Sequence, residues 1–184
     1  MKKYLLSLIV LFAGITTLPA AEENRYELGF SAGYLFDSEE SFIAAAFTGK
    51  LSGDDSVRHF IESEVGYMSQ SENVMGVSSR LTIVPVFLNY MIRSRLSEQM
   101  DLYFAGGIGG STVSVSGSGF GISISDSDWV LSAQAKAGLD MRMNDALSFR
   151  LGVRYIYLSE VTLLNTRLSD LDDFGLEAGL RIQF

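Results

Sequence analysis

Glu177-Ala178-Gly179-Leu180-Arg181-Ile182-Gln183-Phe184 is the stretch on which the fold turns. Ala178, Leu180, Ile182 and Phe184 are apolar, while Glu177, Gly179, Arg181 and Gln183 are polar or small. An alternation of period two gives a strand two different faces. A large aromatic side chain beside a terminal carboxylate suits a strand that ends at a membrane–water interface better than one that ends in a soluble core.

Working outward, the same alternation recurs along the chain. Residues 25–37 put Tyr26, Leu28, Phe30, Ala32, Tyr34 and Phe36 on one face, against Glu27, Gly29, Ser31 and Gly33. Further strands are expected over residues 41–51, 57–69, 80–93, from 101 onward, 128–142, 147–158 and 172–184. Residues 71–78 read as a loop, and Pro85 as a strand end or bulge, because it lacks a ladder donor. That makes eight strands joined by hairpin-type turns, and both a soluble sandwich and a barrel fit alternation alone.

Charge placement separates the two. The apolar parity, assigned to the outside, contains no Asp, Glu, Lys or Arg in any of the strands. A charge on a lipid face costs about 2–4 kcal/mol at mid-bilayer, so its absence is informative. The opposite parity carries Glu27, Lys50, Arg58, Glu62, Glu64, Arg80, Arg93 and Asp101. It continues with Lys136, Asp140, Arg142, Arg150, Arg154, Glu177 and Arg181. Aromatic residues gather at both strand ends: Tyr26, Tyr90, Phe149 and Phe184 at one, Phe36, Tyr67, Trp129, Tyr157 and Phe174 at the other. Two such belts are expected at two bilayer interfaces.

The amino terminus agrees with export. Met1-Lys2-Lys3, a short apolar run and a small-residue exit at Ala20-Ala21 describe a cleaved signal peptide over residues 1–21, leaving 22–184 as one barrel domain. With no cysteine there is neither a lipid anchor nor a disulfide framework. Glycine is abundant at 18 and proline sparse at 2, as befits many short strands.

The terminal pattern polar–x–Gly–x–x–apolar–x–aromatic, carried by Glu177, Gly179, Ile182 and Phe184, resembles the signal read by the assembly machinery of bacterial outer-membrane barrels. The whole mature chain resembles the small eight-stranded barrels of the OmpA/OmpX type. The glycine cluster Ala105-Gly106-Gly107-Ile108-Gly109-Gly110 is similar to that family's fifth strand. The resemblance implies an antiparallel up-and-down transmembrane β-barrel in the Gram-negative outer membrane. It also implies periplasmic termini, short periplasmic turns and longer outer loops. Its partners would be membrane lipid, lipopolysaccharide, the barrel assembly machinery and periplasmic chaperones. A monomer without cofactors is expected, with no peptidoglycan-binding domain.

Chemistry is then sought in three places. The inward charges, chiefly Glu62, Glu64, Lys136, Asp140, Arg150, Arg154, Glu177 and Arg181, are expected to pair inside a lumen just wide enough for side chains. A proton or ion path is the sharper alternative. His59, the only histidine, faces outward near the periplasmic end with no acid on its face. Catalytic barrels of the lipid A deacylase and palmitoyl transferase families resemble this chain in size, but place their histidine at the outer leaflet. No paired-histidine spacing or phosphate loop is present, so neither a metal site nor catalysis is expected.

The outer loops hold Asp37, Glu39, Glu40, Glu72, Asp126, Asp128, Glu160, Asp170, Asp172 and Asp173 against Arg167, concentrating the net charge of −8 outside the cell. This disfavours nucleic acid and heparin-like polyanions, and suits cationic partners or bridging divalent ions. In residues 113–127 polarity inverts. Val113, Val115, Ile122 and Ile124 continue the inward parity, so a hairpin is expected to rise from the bilayer, turn near Gly117-Ser118-Gly119 and lean its apolar side over the mouth. The functional expectation is a non-enzymatic structural or adhesive protein acting through acidic outer loops. A narrow solute pore and an outer-leaflet lipid enzyme are the alternatives.

Overall fold

The computed structural model describes residues 26–74, 77–119, 122–163, 166–168 and 172–184. The expected leader at residues 1–21 lies outside them. Alternation becomes β1 (Tyr26–Leu35), β2 (Glu40–Gly53), β3 (Val57–Val74), β4 (Val77–Arg95), β5 (Met100–Gly119) and β6 (Ile122–Arg142). The chain continues through β7 (Leu147–Leu158), a small hairpin of β8 (Val161–Leu163) and β9 (Thr166–Leu168), and β10 (Asp173–Gln183). Eight strands form a closed antiparallel ring in the order β1-β10-β7-β6-β5-β4-β3-β2. Closure falls between first and last strands, with Phe30 opposite Leu180 and Ala32 opposite Ala178. Tyr26 and Phe184 exchange backbone hydrogen bonds at 3.2 and 3.0 Å, so the last residue is pinned to the seam. A closed ring leaves no unpaired edge in the hydrocarbon, the condition for sheet to cross a membrane.

The two faces separate as the alternation requires. Phe30, Ile43, Leu88, Ile108, Leu131, Leu151, Leu176 and Leu180 are exposed on the outside, and Ile108 reaches 72 %. Such an apolar exterior is costly in water and appropriate in lipid. Phe36, Tyr67, Trp129, Tyr157 and Phe174 stand exposed towards the end away from the termini, with Phe36 and Phe174 stacked at 5.9 Å. Inside, Tyr103 is fully buried and lies where a Cβ on Gly138 or Gly152 would overlap its ring, so those glycines are steric necessities.

Three local expectations are corrected. Residues 71–74 and 77–78 are not loop: β3 and β4 continue as a hairpin, with Val74 opposite Val77. Nor does the β5–β6 hairpin turn at Gly117-Ser118-Gly119. Those residues stay paired, out to Gly119 opposite Ile122, so the tip lies further along, beyond the described residues. In both hairpins serines and glycines occupy strand positions because the neighbouring strand supplies the ladder that their own propensity does not. Pro85 sits in mid-β4 rather than at an end or bulge. The β3–β4 ladder stops at Val65 opposite Val86 and resumes in the same register at Met68 opposite Ile83. The missing N–H therefore falls in a short unpaired window, and Gly66 in line with it makes room: a Cβ there would lie 3.0 Å from the proline ring.

β3 to β6 are 18 to 21 residues long, against 10 to 14 for β1, β2, β7 and β10. About 9–11 residues suffice to cross a bilayer. The surplus extends the four long strands about 30 Å beyond the ring, at about 3.3 Å per residue. At the opposite end the β2–β3 turn is tight. Asp54 accepts from the backbone N–H groups of Ser56 and Val57 at 2.8 and 2.9 Å, and these two bonds hold its carboxyl below the usual range.

Candidate functional site

Inward-facing positions on every strand of the ring meet in one lumen. From β6, Lys136 lies 2.5 Å from Glu62 and 2.6 Å from Glu64, both on β3. From β7, Arg154 lies 2.7 Å from Glu64 and 2.6 Å from Glu177. From β10, Arg181 reaches Glu62 at 2.5 Å and Glu27 at 3.1 Å. From β4, Arg93 reaches Glu27 at 2.5 Å and Asp140 at 3.1 Å. The result is an unbroken chain of alternating sign, from Asp140 through Arg93, Glu27, Arg181, Glu62, Lys136, Glu64 and Arg154 to Glu177. Arg150 closes it back on itself, pairing with Asp140 and lying 3.7 Å from Glu62.

All these side chains are at most 5 % exposed, so neutralisation has to come from within. Neutral groups complete it. Thr48 and Asn89 hold Glu62 at 3.3 and 3.1 Å, Gln134 bridges Asn89 and Glu64, and the Tyr103 hydroxyl donates to Glu177 at 2.9 Å. Arg93, Arg150 and Arg154 lie over the rings of Phe60, Tyr103 and Phe42 at 4.3, 3.7 and 4.6 Å. A void of about 20 Å³ bordered by Lys136, Arg150, Glu177 and Arg181 has room for about one water. A permeating ion would have to break at least one pair.

The structure therefore brings together Glu62, Glu64, Lys136, Asp140, Arg150, Arg154, Glu177 and Arg181. It adds Glu27 and Arg93, which lie on the same parity but were not singled out. Thr48, Asn89, Gln134 and Tyr103 were missed, although a polar or phenolic residue on an inward position was a readable signal. Arg80 is corrected. It shares the outward parity of Val84, Val86 and Leu88, not that of Arg93, and lies exposed on the projecting part of β4, donating to Ser71 at 3.1 Å. Arg58 pairs with Asp101 at 2.6 Å apart from the main chain of charges.

The residues of the terminal pattern divide. Glu177 is in the lumen, Ile182 and Phe184 face out at 45 % and 61 % exposure, and Gly179 sits against β1. His59 faces out on β3, and its Nδ1 lies 2.7 Å from the Tyr90 hydroxyl.

Above the charges the lumen changes character. Leu35, Phe42, Met68, Phe87, Val113, Val130, Ile156 and Leu158 form a buried apolar cluster, with Leu81, Ile83 and Val115 packed on it. Val113 and Val115 thus point inward over the mouth. Ile124, on the same parity but nearer the hairpin tip, is 53 % exposed. The outward side of the projecting sheet is polar, with Arg80, Ser116, Ser125 and Ser127 exposed.

At the rim, Asp173 is tied down by three donors: the N–H of Asp37 at 3.0 Å, and the N–H and hydroxyl of Ser38 at 2.9 and 2.5 Å. Asp172 accepts from the Tyr155 hydroxyl at 2.7 Å. Among the described residues no three acidic or histidine groups converge in metal-binding geometry. Asp170, Glu72 and Arg167 lie outside what is described of side chains.

A family model described as "Outer membrane protein beta-barrel domain" matches residues 5–184. Ail, the attachment invasion locus protein of Yersinia pestis, is similar in structure. It is 15% identical with a TM-score of 0.56, over 90% of this chain and 100% of that one. Ail is also known in complex with the heparin analogue sucrose octasulfate. Neisserial surface protein A is 13% identical with a TM-score of 0.55, over 90% of this chain and 100% of that one. The outer membrane enzyme PagL is 10% identical with a TM-score of 0.50, over 86% and 99%. No curated protein matches the chain in sequence.

Proposed function

The chain belongs to the outer-membrane β-barrel family, and from that premise we propose that it is a non-enzymatic surface protein whose interactions are made outside the cell, by the projecting β3–β6 sheet and the acidic loops. The observation that carries this reading is the contrast between the two ends of the lumen. The transmembrane part is filled by mutually neutralised charges, and about half of each long strand is spent on sheet that crosses no membrane. Sheet costs conformational entropy to order, and this sheet has no role in closing the ring.

The non-enzymatic part of the proposal is supported by His59. It lies near the β2–β3 turn, paired with a phenol rather than an acid, and far from the outer leaflet. The polarity of partners follows from charge. Ail binds a sulfated sugar analogue, whereas this chain's outer residues Asp37, Glu39, Glu40, Asp126, Asp128, Glu160 and Asp172 are acidic. Polyanions are therefore disfavoured and basic surfaces favoured. Contact with lipopolysaccharide at the outer aromatic belt, delivery by periplasmic chaperones, recognition of Glu177, Gly179, Ile182 and Phe184 by the assembly machinery, and a monomeric state complete the proposal.

The test compares the full protein in lipid nanodiscs with a variant lacking residues 114–123, both confirmed as folded. Immobilised basic proteins and heparin serve as bait. The full protein should be retained by the basic bait, less so at high salt, and released from heparin. Equal retention of the trimmed barrel would remove the sheet from the proposal.

A further inference from the structure

The apolar cluster at the outer mouth does not fill its space. A cavity of about 230 Å³ opens there, walled by Leu35, Met68, Ile83, Ile156 and Leu158. Its walls are aliphatic, with no ring among the described lining residues. At its lip stand Asp37, Glu40, Asp172 and Asp173, and among the described residues no Lys or Arg lines it. Asp173 is consumed by Asp37 and Ser38, and Asp172 is partly consumed by Tyr155. Asp37 and Glu40 form no salt bridge among the described residues.

We propose that this cup binds a single-chain aliphatic cation: an alkyl tail in the cavity, with its ammonium head at the Asp37–Glu40 lip. Three features select that chemistry. Aliphatic walls accept a flexible chain and offer no face for an aromatic ring to stack on. The volume lies below the about 300–1,000 Å³ of pockets for drug-sized ligands, so one chain fits and a multi-chain lipid does not. The lip attracts a positive head and repels the carboxylate or phosphate of anionic amphiphiles. The walls of the cup lie level with the outer aromatic belt, Leu35 and Met68 adjoining Phe36 and Tyr67 along the chain, but inside the ring, so its ligand arrives through the mouth and not from the lipid.

The probe is n-octylammonium, titrated into the full protein in nanodiscs with methyl-labelled Leu, Ile and Met. Octanoate and butylammonium are the comparators, and empty nanodiscs the control for partition into lipid. Octylammonium should shift the Leu35, Ile83, Ile156 and Leu158 methyls saturably. Its affinity should be at least tenfold above that of octanoate, and raising salt should shrink that ratio. Butylammonium, with too short a tail, should bind at least tenfold more weakly.

In D37N/E40Q, changed only at the lip, the preference for octylammonium over octanoate should fall severalfold while tail binding persists. Ile83→Trp, which fills the cup, should abolish the shifts in a protein whose other resonances stay in place. Equal binding of octylammonium and octanoate, or shifts confined to lipid-facing Leu131 and Ile108, would overturn the proposal.

Discussion

Glu62 shows how much depends on single side chains in this lumen. It is fully buried and faces Lys136 and Arg181, each at 2.5 Å, while Asn89 and Thr48 take its remaining acceptor capacity. Its neighbours could not be deprived of it cheaply, because losing one partner of a buried pair costs about 3–5 kcal/mol, most of it from the charge left behind. Glu62→Gln should therefore lower unfolding stability in lipid vesicles by about 3 kcal/mol. Glu62→Gln combined with Lys136→Met removes one charge of each sign and should cost clearly less than the sum of the two single changes. Additive costs in a urea titration would mean that the two groups do not interact as their separation implies. This residue was legible from parity alone. Its partners were not, since Arg181 lies 119 positions away and meets it only across the closed ring.

At the scale of elements, the last strand and the first turn make separate predictions. Phe184 is held to Tyr26 by paired backbone bonds, and its ring is 61 % exposed on the outside. Deleting it takes two bonds and one aromatic anchor from the seam where the ring must close. Membrane-inserted, heat-modifiable protein should fall severalfold in cells, whereas the lumen pairs, which do not involve Phe184, should leave the stability of the inserted fraction largely intact. Normal insertion of the deletion would count against the proposed assembly role.

The β2–β3 turn depends instead on protonation. Asp54 has its carboxyl depressed by backbone N–H donors, so its contribution is present above the ordinary carboxylate range and is lost as pH falls through its folded value. Asp54→Ala should increase amide exchange at Ser56 and Val57 at neutral pH, and the difference from the parent should vanish in acid. The boundaries of β3 to β6 were the least legible elements. Serine and glycine at 114, 116–119 and 78–79 read as loop locally, and only pairing with a neighbouring strand makes them sheet.

For the molecule as a whole, charge and closure set the behaviour. Ten charges of alternating sign span the lumen, so the ring is filled rather than hollow. In planar bilayers the pure protein should give no large steady conductance. Glu62→Gln/Lys136→Met, which removes the central pair, should raise the frequency of brief openings without creating a stable pore. Large, long-lived openings from the parent protein would refute the filled lumen. The acidic exterior makes a second whole-molecule statement: association with basic surfaces should weaken as ionic strength rises, because exposed charges are screened over about 10 Å at 0.1 M salt.

Alternation, the absence of charge from the lipid-facing parity, the two aromatic belts, the leader and the terminal pattern together pointed to eight membrane-crossing strands, their two faces, and the closure of the last strand on the first. These are local properties: a side chain's face follows from its position in a strand of period two. Glu177-Ala178-Gly179-Leu180-Arg181-Ile182-Gln183-Phe184 shows the two faces of one such strand by itself, and the number of strands comes from the recurrence of its pattern along the chain. The tertiary structure alone decided which charges pair, that Pro85 is absorbed in mid-strand, that four strands run on beyond the membrane, and that an aliphatic cup with an acidic lip opens above the charges. Each depends on the register between strands and the curvature of a closed ring. Those are set by the meeting of residues far apart in the chain, which no local pattern encodes.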